Sequence, residues 1–147
     1  MEIREIERKE NFMEGYKSYK EVDIETASGL KLVVMLYQGA IRFLGIAKDA
    51  IRDRKLDVAH NNLLKAQDIV LELISSLNFD AGEIAHNLYS LYMYMNRRLI
   101  EANVAKDVTI IDEVIKLMTT LKEAWETLLS QQRDETPNDQ KNLNLLG

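Results

Sequence analysis

The sequence predicts an all-α fold, an antiparallel up-down four-helix bundle with an N-terminal cap segment and a disordered C-terminal tail. Three observations predict it. Six glycines and one proline in 147 residues fall well short of the average of about 12%. Neither type occurs between Ile46 and Ala81 or between Glu83 and Thr136. A sandwich or barrel needs turn chemistry roughly every 8–12 residues, and those stretches lack it. Apolar residues recur there by threes and fours, the period of one helix face. The links between the periodic segments are short, so successive helices are antiparallel neighbours.

The first helix is predicted from Ser28 to Arg52, followed by the turn Asp53-Arg54-Lys55-Leu56. Asp57 has the side chain to cap a second helix, Val58 to Leu77. Its inward positions are Ala59, Leu63, Ala66, Val70, Leu73 and Leu77. Asn78 and Phe79 break the pattern, and Asp80-Ala81-Gly82-Glu83 has the residue types of a capping box. The third helix covers Glu83 to Asn103. After Val104-Ala105-Lys106, Asp107 is the expected cap of a fourth helix running to about Gln132, with the stripe Ile111, Val114, Met118, Leu121, Trp125 and Leu128. The chain therefore divides into an arm, 1–25, a bundle, 26–132, and a tail, 133–147. The arm is highly charged but carries Phe12, Met13, Tyr16, Tyr19, Val22 and Ile24. The tail is polar apart from Leu143, Leu145 and Leu146, and is expected to be disordered.

Two helices carry more apolar surface than a bundle core uses. In the fourth helix 11 of the 22 residues from Thr109 to Ser130 are polar, leaving one stripe for the core. From Leu30 to Ile51, by contrast, the polar residues are Lys31, Gln38, Arg42, Lys48 and Asp49. All but Lys48 share one narrow line with Met35, Gly45 and Arg52. A core-facing bundle helix needs about three-sevenths of its circumference apolar, and this one offers more. The third helix repeats the excess. Ile84, Leu88, Leu91 and Met95 are the expected core face, which leaves Tyr89, Tyr92, Met93 and Tyr94 pointing outward. Tyrosine joins an apolar ring to a wet end and methionine repacks easily, so both suit a partner surface. The two excesses lie on diagonal helices, so a partner using both must wrap around the bundle.

Several function classes drop out. With no cysteine, disulfides, thiolate metal sites and cysteine nucleophiles are excluded. Nineteen basic against twenty-four acidic residues, a net charge of −5, argue against a nucleic-acid backbone binder. The longest apolar run, Leu32 to Tyr37, has six residues, against the roughly 18 of a membrane span. Met1 to Lys20 lacks the apolar core of a signal peptide, so the chain is expected to be soluble and cytoplasmic, with no membrane insertion. Glu83-x-x-His86 and Asp57-x-x-His60 resemble the carboxylate–imidazole spacing of di-metal bundles. In an antiparallel pair they sit at opposite ends, on the order of 30 Å apart, and no metal or cofactor is expected. No serine lies in a nucleophile elbow and no Gly-rich phosphate loop is present. Catalysis is not indicated.

The stretch Tyr19-x4-Ile24-x-Thr26-Ala27-Ser28, followed by Leu32-Val33-Val34-Met35-Leu36-Tyr37-Gln38-Gly39-Ala40-Ile41, resembles the flagellin-specific flagellar secretion chaperones, the FliS family. The similarity continues through Ala66-Gln67-x-Ile69, Asn87-Leu88-x-x-Leu91-Tyr92-x-Tyr94-Met95 and Arg98-Leu99-x-Glu101-Ala102-Asn103, and spans about Tyr16 to Leu129. Gly29 stands where the family has proline, Lys31 where an acid or Gln would complete a capping box, and Gln38 where the family has an acid. The loss of helix-start rigidity is about 0.5–2 kcal/mol at most.

The resemblance implies a cytoplasmic chaperone. It binds the disordered C-terminal segment of flagellin, keeps it from polymerising early and passes it to the flagellar type III export apparatus. It also implies that the arm lies over part of the client groove, with Tyr16 and Tyr19 matching its tyrosines and Ile24 its aliphatic anchor. Permanent docking of these three on their own bundle is the alternative. The expected partner-binding residues are these three with Leu30, Val33, Val34, Tyr37 and Ile41 on the first helix and Tyr89, Tyr92 and Met93 on the third. The competing readings are a self-associating bundle, with a second copy as partner when no client is bound, and a di-metal carboxylate enzyme.

Overall fold

The structure is a computed structural model that describes the backbone of residues 27–146 and the side chains of residues 28–132. Tyr16, Tyr19 and Ile24 lie outside the described residues, as do the expected arm and the side chains of the expected tail. The described residues form an antiparallel four-helix bundle: α1 (Ala27–Arg52), α2 (Leu56–Ser75), a 3₁₀ turn (Phe79–Ala81), α3 (Glu83–Ala105) and α4 (Val108–Leu146). α1 packs against α2 and α4, and α3 against the same two, so α1 and α3 face each other across the diagonal.

The helix ends follow local chemistry, with two departures from expectation. α2 begins at Leu56, so Asp57 lies in its first turn instead of capping it; Lys55 holds the cap position without a side-chain bond. An acid there still favours the helix dipole. Before α3 the expected capping box does not form: Gly82 holds the cap position without a side-chain bond, and Asn78 caps the 3₁₀ turn, its Oδ1 accepting from the Asp80 amide at 3.0 Å. Gly82 follows with φ 97°, a conformation that glycine alone adopts freely. Asp107 behaves as expected, accepting from the Thr109 amide at 2.8 Å. α3 ends on Lys106 in the left-handed region, φ 50° and ψ 46°. The ammonium of Lys106 donates to the Asn103 backbone and side-chain oxygens at 2.6 Å each, satisfying a terminal carbonyl that the helix leaves open.

The core is continuous. Val33, Tyr37, Ala40, Leu44 and Ala47 of α1 meet Leu63, Ala66, Val70 and Leu73 of α2, Tyr92, Met95, Leu99 and Ala102 of α3, and Ile111, Val114 and Met118 of α4. A second cluster, Leu30 and Val34 against Leu129 with Trp125 alongside, closes one end. Small residues set the α1–α2 approach: a Cβ on Gly39 would sit 3.4 Å from Ile69 Cδ1. By length and composition alone α1 is apolar enough to cross a bilayer, with a mean hydropathy of 1.5 over its most apolar 18 residues. In the bundle its Tyr37, Ala40, Leu44 and Ala47 are fully buried by protein.

Candidate partner surface

α3 places its residues differently from the expected face. Its buried positions are Ala85, Tyr92, Met95, Leu99 and Ala102. This face is rotated from the expected one, so Tyr92 turns inward while Ile84 is 65% exposed. Tyr92 meets another tyrosine expected on the partner surface. Tyr37 of α1 is also fully buried, and the two hydroxyls meet at 2.5 Å, with ring centroids 6.4 Å apart and tilted by 52°. Tyr37 and Tyr92 are therefore core residues. A bond between two phenols reaching across the diagonal gives each buried hydroxyl a polar partner, which offsets part of the cost of taking both out of water.

Leu30, Val33 and Val34 are likewise buried, the first and last against Leu129. Among the residues expected to bind a partner, Ile41 packs half-buried on the core rim, Met93 is half-buried, and Tyr89 is 40% exposed. The structure brings Tyr89 together with Phe79 of the 3₁₀ turn, edge to face at 5.7 Å, and Phe79 with His86 at 5.0 Å.

A further surface was not singled out by the sequence argument. Between α2 and α3 lies an open cleft of about 530 Å³ lined by His60, Leu64, Gln67, Ile100, Asn103, Val104 and Lys106. Two polar pairs bridge its floor. Gln67 Nε2 donates to Asn96 Oδ1 at 3.3 Å, and Asn103 Nδ2 lies 3.0 Å from His60 Nδ1. Seven residues, two turns, separate the pairs on each helix. Amide and imidazole groups here hold the helices apart where small apolar residues draw α1 and α2 together. Of its lining residues, Ile100 and Val104 are large apolar side chains left exposed. The spacing from Met93 to Ile100 and Val104 would have revealed this stripe, because it continues the face on which Met93 lies.

The histidines and their neighbouring acids occupy opposite ends of the bundle. His60 joins Asn103, and His86 packs at a tilt against Phe79. No group of three His, Cys, Asp or Glu able to hold a metal occurs among the described residues. On the α4 side of α3, Glu113 accepts from the Tyr94 hydroxyl at 2.7 Å and from Arg98 Nε at 3.0 Å. Those bonds, the Tyr94 one foremost, hold the Glu113 carboxyl below its ordinary range. The same bond raises Tyr94.

The helical fold of the described residues and the spare apolar surface on α3 agree with what similarity to known proteins shows. The sequence model of the family described as "Flagellar protein FliS" matches residues 12–132. The flagellar secretion chaperone FliS of Bacillus subtilis is 32% identical over 120 residues, covering 82% of this chain and 90% of that protein. The protein of that name from Escherichia coli is 35% identical over 130 residues, covering 84% and 96%. That from Vibrio cholerae is 36% identical over 117 residues, covering 76% and 86%. On its fold, its surface and this similarity along nearly all of its described length, the chain belongs to the FliS family of flagellar secretion chaperones.

Proposed function

We propose that this chain binds the C-terminal helical segment of newly made flagellin in the cytoplasm, keeps it from polymerising early and delivers it to the flagellar export apparatus. The observation that supports this most is the apolar surface that the bundle leaves uncovered on α3 and the adjoining turn: Phe79, Ile84, Tyr89, Ile100 and Val104. A monomer rarely leaves large contiguous apolar patches unless they bind something. An amphipathic segment that folds as it docks into such grooves buries its own apolar face in the same step.

In this reading Tyr89, Met93 and Ile41 touch the client. Leu30, Val33, Val34, Tyr37 and Tyr92 shape the surface from inside. The arm residues Tyr16, Tyr19 and Ile24 cover part of the groove until client arrives. Calorimetric titration with a flagellin C-terminal fragment tests the reading. Binding should show a large negative heat-capacity change, corresponding to burial on the order of 1,000–3,000 Å². Tyr89→Glu and Met93→Glu should each weaken it about tenfold or more without moving the melting temperature. Removal of residues 1–25 should raise hydrophobic-dye binding while leaving the helical spectrum intact. A fragment that does not bind, or affinity indifferent to both charged substitutions, overturns the proposal.

A further inference from the structure

Beyond the client surface on α3, we infer that the outer face of α1 is a second docking surface, one that takes an acidic amphipathic helix of a partner protein. α1 leaves Met35 54% and Ile46 41% exposed. With Arg42 between them they step by seven and four residues, so the three share one helix face. The two apolar side chains stand about 16 Å apart along the axis. α1 packs against α2 on one flank and α4 on the other, and neither covers these residues.

Gly45 makes a notch in the same face. It lies within the helix, and a Cβ there would meet nothing within 4 Å. The bundle therefore gains nothing from a glycine in mid-helix, where alanine is the more stable residue. Gly39 differs: its Cβ would sit 3.4 Å from Ile69 Cδ1, so its smallness serves α2. The smallness of Gly45 serves a chain approaching from outside, because a bare backbone lets a partner come close.

The charges say which helix. Arg42 Cζ and Lys65 Nζ lie 5.3 and 5.4 Å from the centre of the Phe43 ring, so one ring braces two long cations, one from α1 and one from α2. Both are exposed. Neither makes an ion pair among the described residues, although the chain carries a net charge of −5. Side chains already held in place lose less freedom when a carboxylate arrives. Acids therefore belong on the partner helix opposite Arg42 and Lys65, with apolar residues over Met35 and Ile46. Asp49, one turn beyond Gly45 on the same line, repels an acid at that end and so fixes the partner's direction. An anionic membrane fits less well, since Asp49 would face its phosphates and two separated apolar side chains insert little area.

Anisotropy titration of the full chain with a labelled synthetic peptide tests the inference. The peptide has about 18 residues, is built of alanine and glutamate, and carries two leucines about three turns apart. It should bind wild type with a Kd of about 10–100 μM. R42E and K65E should each weaken it about tenfold. A peptide with lysine in place of glutamate should bind the double variant about tenfold or more better than wild type. Gly45→Leu should fill the notch and weaken the glutamate peptide about tenfold, with circular dichroism and melting temperature no lower than wild type. Gly45→Ala should raise the melting temperature by about 2–4 °C. A peptide that does not bind, affinity indifferent to the charge reversals or to Gly45→Leu, or a Gly45→Ala melting temperature at or below wild type would each overturn it. Binding to phosphatidylglycerol vesicles that the same variants lose would give the face to lipid and overturn it too. The flagellin C-terminal fragment should bind R42E, K65E and Gly45→Leu like wild type, an arm that rests on the client reading. A fragment weakened by them would give the face to the client and overturn the inference, whereas a fragment that fails to bind even wild type sinks the proposed function alone.

Discussion

α1 and α3 both carry more apolar residues than one core face requires, yet the bundle treats them differently. α1 loses most of its excess to the interior, leaving Met35 and Ile46 exposed. Leu30, Val33, Val34, Tyr37, Ala40, Leu44, Ala47 and Ala50 are all buried, and Leu32, Leu36, Ile41 and Phe43 pack against them from the rim. α3 buries Ala85, Tyr92, Met95, Leu99 and Ala102 and leaves Ile84, Tyr89, Ile100 and Val104 exposed. The neighbours make the difference. Alanines and Gly39 let α2 approach α1 closely, so α1 is covered on two sides. The amide and imidazole pairs between α2 and α3 keep a cleft open. Excess apolarity in one helix becomes core or docking surface according to the size and polarity of the side chains facing it.

The largest effect that could break this contrast comes from the α1 interior. Leu44→Ala removes a fully buried side chain and should cost about 2–5 kcal/mol in urea unfolding. A loss below about 1 kcal/mol would mean that α1 is not the buried helix described. Next comes the link between the two helices. Tyr37→Phe or Tyr92→Phe removes one hydroxyl of the buried pair and should cost about 1–3 kcal/mol. The double variant should cost less than the sum of the singles. Additive losses would show that the two hydroxyls do not act together.

Glu113→Gln probes the polar edge of α3 and should have a smaller effect, with a sign set by pH. The folded carboxyl is held below its ordinary range by Tyr94 and Arg98. Its contribution is therefore present above the unfolded value and is lost as pH falls through the folded one. Wild type should be the more stable at neutral pH, and the difference in melting temperature should close on acidification. A constant difference from neutral to strongly acidic pH would contradict the network. The smallest effect sharpens the contrast from the other side. Val104→Ala on the exposed stripe should change unfolding free energy by about 0.5 kcal/mol or less, and a larger loss would mean that the stripe is already packed.

Much of this architecture was legible in residue order. The scarcity of glycine and proline forced long helices, and the spacing of Ala59, Leu63, Ala66, Val70 and Leu73 selected the buried face of α2, to which the packing added Asn62, Ile69 and Glu72. Asp107 marked the start of α4 by its own side chain. The motif around Leu32 to Ile41 and its continuation to Asn103 pointed to the family without any coordinates. The rotation of α3 was not legible. From Ile84 to Met95 the helix is apolar almost all round, so periodicity picks no face, and the choice falls to what the neighbouring helices present. Only the packed bundle could turn Tyr92 inward to Tyr37, since a partner 55 residues away leaves no trace in local spacing. The same packing left Ile100 and Val104 uncovered, because polar side chains on α2 and α3 meet each other before the two helices can close.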